Sequence, residues 1–543
     1  MLGVRVFGPA DLYEKDQPKT LAYTADVVLH GRYSLPRDVL YQPATKPPLY
    51  NWISAAVVKA TGSWDEWALK FPSLLGSLAT GAIVFVMARR LHPDRSIVFA
   101  SLAGAIWFTF GSDVRHGSVI RMGYLARPDM LQCAFMTAAW ACATVMLQKR
   151  CTTEARKHGA EKSIHESARI DTNENKDDSS AFSSLCASVS PWCIFFWLSV
   201  TGAILTKGPA ALMVIVYALA LSILTTRRFA WLAGAPIAIV LAGAWLWCAY
   251  QQDPTHVRET ILGAEVLDRV TDESPEGISK PVYYSVMWFV TKAFPWGAVA
   301  LAGGVIWCFF RRRDRTMLPA VLWMGIVLAM LSIPAGKRMD YLLPAYAPGA
   351  IVAAYGIMRF VSWVARLLAR SRGSLDRANH GSGYQAVAPV FPLLVAIALA
   401  YLHLTRFHES REHWSDRAVA FAETVRPIVG SEPCLVIVRG KHPIPVLLGR
   451  HQGSFLTPED LSKAAWVILP EQPDRVAQAV SEPIPIGFET LETRALARLA
   501  LYRTQDAGLS LDRLIEQQKQ VGTWTKAENP YRAPGTVFRD AKQ

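Results

Sequence analysis

Six charged side chains stand out because each sits beside an apolar run. Asp16 lies in YEKDQPKT, Lys46 in YQPATKPPLYNW, Asp129 in LARPDMLQ and Lys207 in LTKGPAAL, while Lys337 and Arg338 share PAGKRMDYLLP. An ionisable group at membrane depth is costly to keep, so its presence is a functional signal by default. A fixed cation can stabilise a developing negative charge, and a carboxylate within about 3 Å of a hydroxyl or amine can take its proton. Lys46 has the most constrained setting. Pro47 and Pro48 remove two backbone donors and push the residue ahead of them toward extended backbone, and Tyr50 and Trp52 then lead into ISAAVV. Three of these groups also have a plain structural alternative. Asp129 follows Pro128 and can cap a helix, Lys46 can snorkel to an interface, and Lys207 ahead of Gly208-Pro209 can be an ordinary loop cation.

The elements that must position these residues are membrane spans. The chain has 543 residues, 51% of them hydrophobic. Its apolar residues fall in blocks of the length that crosses a bilayer as a helix, roughly 17–25 residues. Ten spans are expected, at 68–91, 96–112, 127–147, 190–206, 210–226, 230–250, 288–310, 317–333, 344–368 and 387–405. The net charge of +13 does not point to nucleic acid, because it is concentrated in alternate loops. Arg89, Arg90 and Arg95, the stretch from Gln148 to Lys162, Arg227 and Arg228, RRRDR at 311–315, and Arg366 to Arg377 carry it. The positive-inside rule places these loops in the cytoplasm and all six charged candidates on the opposite, external face.

Three regions follow. Residues 1–67 are expected to form an external segment with two interfacial helices, in TLAYTADVVLHG and LYNWISAAVVKATG. Residues 68–405 form the helical membrane domain, with a polar, serine-rich cytoplasmic loop near 150–187 that is expected to be disordered. Residues 406–543 form a small external α/β domain, with strand-like runs in PCLVIVRG, AAWVILPE and RALARLALYRT and a helix in SLDRLIEQQKQV. The fold class is thus a mainly α polytopic membrane protein with a small C-terminal α/β module. The external segment has no apolar span to carry it across, and no signal peptide is visible, so a further helix encoded ahead of Met1 is expected, the alternative being direct translocation of a short N-terminal tail. The eight cysteines form no disulfide framework, and the twelve histidines show no strong zinc spacing, so no metal or cofactor is required.

The order DQPKTLAYTADVVLHGRYSLP, TKPPLYNW, ALKFPSLLGSL, ARPDMLQ, TKGP and GKRMDYLLPAYAPGA, over about residues 10–360, resembles the GT-C membrane glycosyltransferases. The nearest of these are the lipid A aminoarabinose transferases and the protein O-mannosyltransferases. The resemblance implies a sugar donor linked to a polyprenyl phosphate, a glycolipid or protein acceptor, and contact with membrane lipids. It implies that Asp16 occupies the first position of an acidic pair in the first outer loop, with Gln17 replacing the second carboxylate. Lys19 stands where some relatives have arginine, and Thr45 where a glutamate often precedes the KPP. It further implies that Lys46 contacts the donor phosphate, that Asp129 is the acidic residue at a span mouth, and that Lys207 is the lysine of the KG loop.

On this basis Asp16 is the expected base, with Asp129 orienting it or the acceptor. Lys46, Lys207, Arg338 and Lys337 are expected to bind the donor phosphate. Lys19, Tyr50, Glu265, Arg269 and Tyr341 are expected as further substrate contacts. Attack opposite the leaving phosphate gives inversion. A transporter or flippase of a lipid-linked or anionic substrate is the competing reading, but it predicts paired repeats with broken helices and charges near the midplane. A membrane-anchored receptor or scaffold leaves the clustered external Asp and Lys residues unexplained.

Overall fold

The computed structural model describes residues 6, 10–13, 17–38, 42–92, 96–111, 118–165, 190–227, 229–267, 281–310, 315–334, 339–371, 394, 397–398, 401, 414–436, 442–448, 464–472, 474–485 and 496–506. Most are helical. Two helices, α1 (Gln17–His30) and α2 (Leu49–Thr61), precede the bundle, and α2 stops at Gly62, whose φ of 70° only glycine adopts without strain. The bundle then runs through α3 (Glu66–Leu91), α4 (Ile97–Phe108), α5 (Asp129–His165), α6 (Pro191–Lys207), α7 (Leu212–Thr225) and α8 (Ala235–Gln252). It continues with a π-helix (Val257–Leu267) and α9 (Tyr284–Thr291), α10 (Trp296–Phe310), α11 (Leu318–Ser332) and α12 (Leu343–Ser371).

From 66 to 364, every apolar stretch expected to span is occupied by a helix. Among the described residues, four helical stretches are long and apolar enough to cross a bilayer: Glu66–Leu91, Asp129–Gln148, Ala230–Gln252 and Met339–Val364. The pair α9 and α10, bent by 113°, makes a fifth if taken as one span, and α4, α6, Pro209–Thr225 and α11 are shorter apolar helices. The expected span at 387–405 lies almost wholly outside the described residues. The third helix of the bundle, α5, continues to His165, into the polar stretch expected to lack structure. That extension, with Glu154, Ala155, Arg156 and Lys157, is rich in helix formers.

Within the bundle α5 packs on α3 and α6, and α10 packs on α12. The α10–α12 crossing is close because Gly303 and Gly356 face each other: a Cβ at Gly303 would lie 2.4 Å from the Val352 carbonyl oxygen. Several buried polar groups are paired across helices, as between Thr144 and the Tyr217 hydroxyl at 2.7 Å and between Trp140 Nε1 and the Pro319 carbonyl at 3.1 Å. By contrast α8 presents exposed Val240, Leu241 and Trp247, the apolar outer face that a lipid-facing helix needs.

The C-terminal domain has a helix, α13 (Trp414–Val429), over a small sheet of β1 (Cys434–Val436), β2 (Trp466–Pro470), β3 (Ala479–Val480), β4 (Ile484–Pro485), β5 (Leu496–Ala497) and β6 (Leu499–Arg503). The main sheet has the order β1-β2-β6-β3, and β4 pairs with β5 separately. The first pair is parallel, and β6 runs antiparallel to both β2 and β3. All three strand-like runs of the sequence carry strands, whereas SLDRLIEQQKQV lies outside the described residues.

This domain is not a separate bead. Ala418, Phe421, Ala422 and Val425 of α13 share one apolar cluster with Leu12, Tyr13, Leu21, Ala22, Leu69 and Ala126. The segment 10–13 is held from both sides. The Ala10 N–H donates to Asp416 at 2.8 Å, the Leu12 N–H to Ser415 Oγ at 2.9 Å, and Tyr13 Oη meets His442 Nε2 at 3.1 Å. On the bundle side the Asp11 N–H donates to Glu66 at 3.0 Å. Fully buried Lys70 is ion-paired with Glu66, donates to the Asp11 carbonyl at 2.5 Å, and lies 5.0 Å from the centre of the Tyr124 ring. Burial also pushes the Tyr13 phenol well above its usual range.

Candidate active site

The site forms where the start of α5 meets the end of α6. The two helices are antiparallel neighbours, so Asp129, in the first turn of α5, faces Lys207, the last residue of α6. Each charge sits at the helix end whose dipole favours it. Gly208, with φ 89° and ψ −141°, turns the chain out of α6 at a conformation that side chains avoid, and Pro209 opens the next turn.

Lys207 Nζ is ion-paired with Asp129 Oδ1. Arg127, two residues ahead of Asp129, lies 3.5 Å from Asp129 Oδ2 through Nε and pairs with Asp340 through Nη2 at 2.8 Å. Lys207 also lies 4.5 Å from the centre of the Tyr341 ring, a cation–π contact. Lys46 stands near enough for its charge to act on Asp129. Among the described residues it makes no hydrogen bond or ion pair. Three cations, Lys46, Arg127 and Lys207, therefore face two carboxylates, Asp129 and Asp340.

A cavity of about 690 Å³ opens beside this cluster. Its polar end carries Thr45, Lys46, Asp129, Lys207, Asp340 and Tyr341, and the rest of its wall is mostly apolar, including Met136, Trp197, Val200, Ile204, Leu212, Ile239 and Leu246. Asp129 Oδ2 and Gln132 Nε2 are buried on this wall without a hydrogen-bond partner among the described residues. A charged end on an apolar slot suits an amphiphile with an anionic head.

Of the residues singled out in the sequence, the structure brings Lys46, Asp129, Lys207 and Tyr341 together. Tyr50, expected as a substrate contact and interfacial anchor, lies elsewhere. It is buried beneath α2, its hydroxyl 3.4 Å from the Leu69 and Leu125 carbonyls, and burial raises its phenol well above the usual range. An aromatic beside a span suits an interface or a core equally well, and here it braces the 125–127 turn that carries Arg127. Lys19 lies 5.7 Å from the centre of the Tyr23 ring on α1 and does not line the cavity. Asp16, Arg269, Lys337 and Arg338 lie outside the described residues, as does the side chain of Glu265.

Gln17, where the resemblance leads one to expect a second acidic residue, has a clear role. Its Nε2 donates to the Asp11 carbonyl at 2.7 Å, and its Oε1 accepts from the Ala126 N–H at 2.9 Å. An ionised glutamate could accept but not donate there.

Three site residues were not anticipated in these roles. Arg127 and Asp340 lie within the quoted motifs but were overshadowed by Asp129 and by the neighbouring Lys337 and Arg338. Gln132 is signalled only by its spacing of three from Asp129 on a helix.

A family model described as dolichyl-phosphate-mannose-protein mannosyltransferase matches residues 45–154, the stretch that holds Lys46, Arg127 and Asp129. The undecaprenyl phosphate-alpha-4-amino-4-deoxy-L-arabinose arabinosyl transferase 2 of Proteus mirabilis is 22% identical over 354 residues, or 64% of this chain. The match spans just over half, 56%, of that relative's length. Among solved structures, ArnT from Cupriavidus metallidurans bound to undecaprenyl phosphate superposes with a TM-score of 0.55 at 15% identity, covering 92% of this chain and 95% of that one. Its apo state gives a TM-score of 0.59 at 15% identity, covering 94% and 97%. The chain is thus a polytopic membrane protein with the GT-C fold, and it resembles the aminoarabinose and mannosyl transferases that share that fold.

Proposed function

We propose that this protein is an integral-membrane glycosyltransferase that moves a sugar from a polyprenyl-phosphate donor to a glycolipid or protein acceptor at the outer face of the membrane. The observation that carries the reading is the charged cluster at the polar end of an otherwise apolar cavity: Lys46, Lys207, Asp129 and Asp340 line it, and Arg127, paired with both carboxylates, leaves three cations against two carboxylates among the described residues. A phosphodiester brings one negative charge, and its isoprenoid chain suits the apolar wall. The relatives named above point to the same donor class.

In this reading Lys46 and Lys207 hold the donor phosphate, joined by Lys337 and Arg338, and stabilise it as the sugar departs. Lys46 is the cation of the cluster that has no ion pair among the described residues, and the Pro-Pro that follows it limits its motion. Asp129 anchors the cations. A carboxylate held by Lys207 and Arg127 is a poor proton acceptor, so the base is assigned to Asp16. Gln17, the next residue, is tied to Ala126, three residues from Asp129. The acceptor loses its proton to Asp16 as it attacks the anomeric carbon opposite the phosphate, and the configuration inverts. Glu265 and Arg269 are assigned to the acceptor side. The site and the C-terminal domain face outward, with residues 150–187 and 311–315 in the cytoplasm.

Release of polyprenyl phosphate from a defined lipid-phosphate sugar tests the reading, with lipid A or an unfolded polypeptide supplied as acceptor to the purified protein. Acceptor-dependent release is expected. Passage of intact donor across vesicles without cleavage would support a flippase instead.

A further inference from the structure

Two helices carry matching gradients along the cavity. On α5 the lining residues are Asp129, Gln132 and Met136, spaced three and four apart, so they share one helix face. At a rise of about 1.5 Å per residue, Gln132 lies roughly 4.5 Å and Met136 roughly 10 Å deeper than Asp129. On α6 the lining residues are Lys207, Ile204, Val200 and Trp197, running from charge to hydrocarbon, with Ile204 about as deep as Gln132 and Val200 about as deep as Met136. Gln132 stands at the boundary of the two regimes. It is 6% exposed, and among the described residues neither its Nε2 nor the rest of its amide has a hydrogen-bond partner. Its backbone N–H is already used, donating to the Pro128 carbonyl at 2.9 Å.

A buried amide with nothing to bond is uncommon and marks a place where a ligand supplies the missing partner. The ligand atom must be an oxygen acceptor just inside the ionic cluster and just outside the apolar wall. We infer that the Gln132 side-chain amide binds the lipid phosphate, donating a hydrogen bond to a phosphate oxygen at the junction of headgroup and hydrocarbon chain. The inference rests on the donor class proposed above and adds a residue and a depth to it.

The same contact serves the transfer. The acceptor's oxygen or nitrogen bonds to the anomeric carbon and gives up its proton to the base. The bond from the anomeric carbon to the phosphate oxygen breaks, and its electron pair stays on the phosphate. The phosphodiester, with one negative charge, becomes a monoester that can carry two. An N–H donor facing it binds the leaving form more tightly than the donor form.

The test is titration of the purified full-length protein with undecaprenyl phosphate in detergent, for the wild type, Gln132→Met and Gln132→Glu. The methionine keeps the length and volume of the side chain and removes the donor. Binding by Gln132→Met is expected to be roughly tenfold weaker, as for loss of one hydrogen bond to a charged group. Gln132→Glu, which sets a carboxylate against the phosphate, is expected to bind more weakly still. The uncharged alcohol undecaprenol is expected to bind the wild type and Gln132→Met alike, and inorganic phosphate is expected to compete only at concentrations at least about a hundredfold higher.

Equal affinity of Gln132→Met and wild type for undecaprenyl phosphate would overturn the inference while leaving the donor reading in place, and so would Gln132→Glu binding as tightly as wild type should the methionine variant not fold. Competition by inorganic phosphate at matched concentration would overturn the placement at the chain junction. A wild-type protein that does not bind undecaprenyl phosphate at all would overturn the donor reading together with this inference.

Discussion

Lys46 and Lys207 offer the same charge to the same cavity, yet the structure assigns them opposite costs of removal. Lys207 is 8% exposed at its side chain and is paired with an Asp129 side chain that is 4% exposed. Truncating one partner of such a buried pair typically costs about 3–5 kcal/mol, because the other charge is left uncompensated. Arg127 remains 3.5 Å from Asp129 and offsets part of this, so Lys207→Ala is expected to cost about 2–3 kcal/mol of stability. Lys46 leaves no buried partner behind, and Lys46→Ala is expected to change stability by no more than about 0.5 kcal/mol.

For donor use the order is reversed in its cleanness. Lys46→Ala removes the one cation in excess over the carboxylates, and a charge-assisted contact is worth about 1.5–3 kcal/mol, so kcat/KM should fall roughly tenfold or more. A lysine that touches both the bound diester and the departing monoester should affect KM and kcat together. Thermal unfolding in detergent, run beside initial rates with a defined polyprenyl-phosphate sugar, measures both effects. The double variant Lys207→Ala/Asp129→Asn should recover stability relative to Lys207→Ala, since it removes the stranded charge. A Lys46→Ala protein that melts as early as Lys207→Ala, or that keeps its kcat/KM, would refute the division of roles argued here.

Asp16→Asn is expected to abolish turnover with donor affinity nearly unchanged; near-normal kcat would instead make Asp129 the leading base. Gly303→Leu should cost at least about 1–3 kcal/mol, because its side chain must enter the space of the Val352 carbonyl, 2.4 Å from a Cβ at that position. Truncation after residue 405 should give an unstable, inactive membrane domain, since it uncovers Leu12, Tyr13, Leu21 and Leu69; a truncated protein that keeps full activity would show that the shared cluster is dispensable. In a background without native cysteines, an impermeant thiol reagent on intact cells should label Gly440→Cys and not Ala160→Cys, and the reverse pattern would invert the proposed orientation.

Much of this protein is determined locally, and those parts were legible in the sequence. The helices from 66 to 364 follow from runs of apolar residues long enough to bury or span, and Gly62 and Gly208 mark ends where the chain must leave a helix. Strand-like runs in the tail located β1, β2 and β6, because short apolar stretches between polar segments suit a small sheet. Lys46, Asp129 and Lys207 were legible as candidates since charge beside an apolar run is expensive wherever it occurs.

Partnership was decided by the tertiary structure alone. The bridge from Lys207 to Asp129 joins residues 78 apart, and that from Arg127 to Asp340 joins residues 213 apart; both depend on which helices pack together. No local pattern separates a tyrosine that faces a ligand from one that braces a turn, so only packing shows Tyr50 turned inward. The same holds for Gln132, a neutral residue singled out by a cavity in front of it and no hydrogen-bond partner for its amide among the described residues. The C-terminal domain reads as a separate module in composition. Its union with residues 10–13 comes from complementary apolar surfaces and from backbone N–H groups that find Asp416 and Ser415 only once the chain has folded.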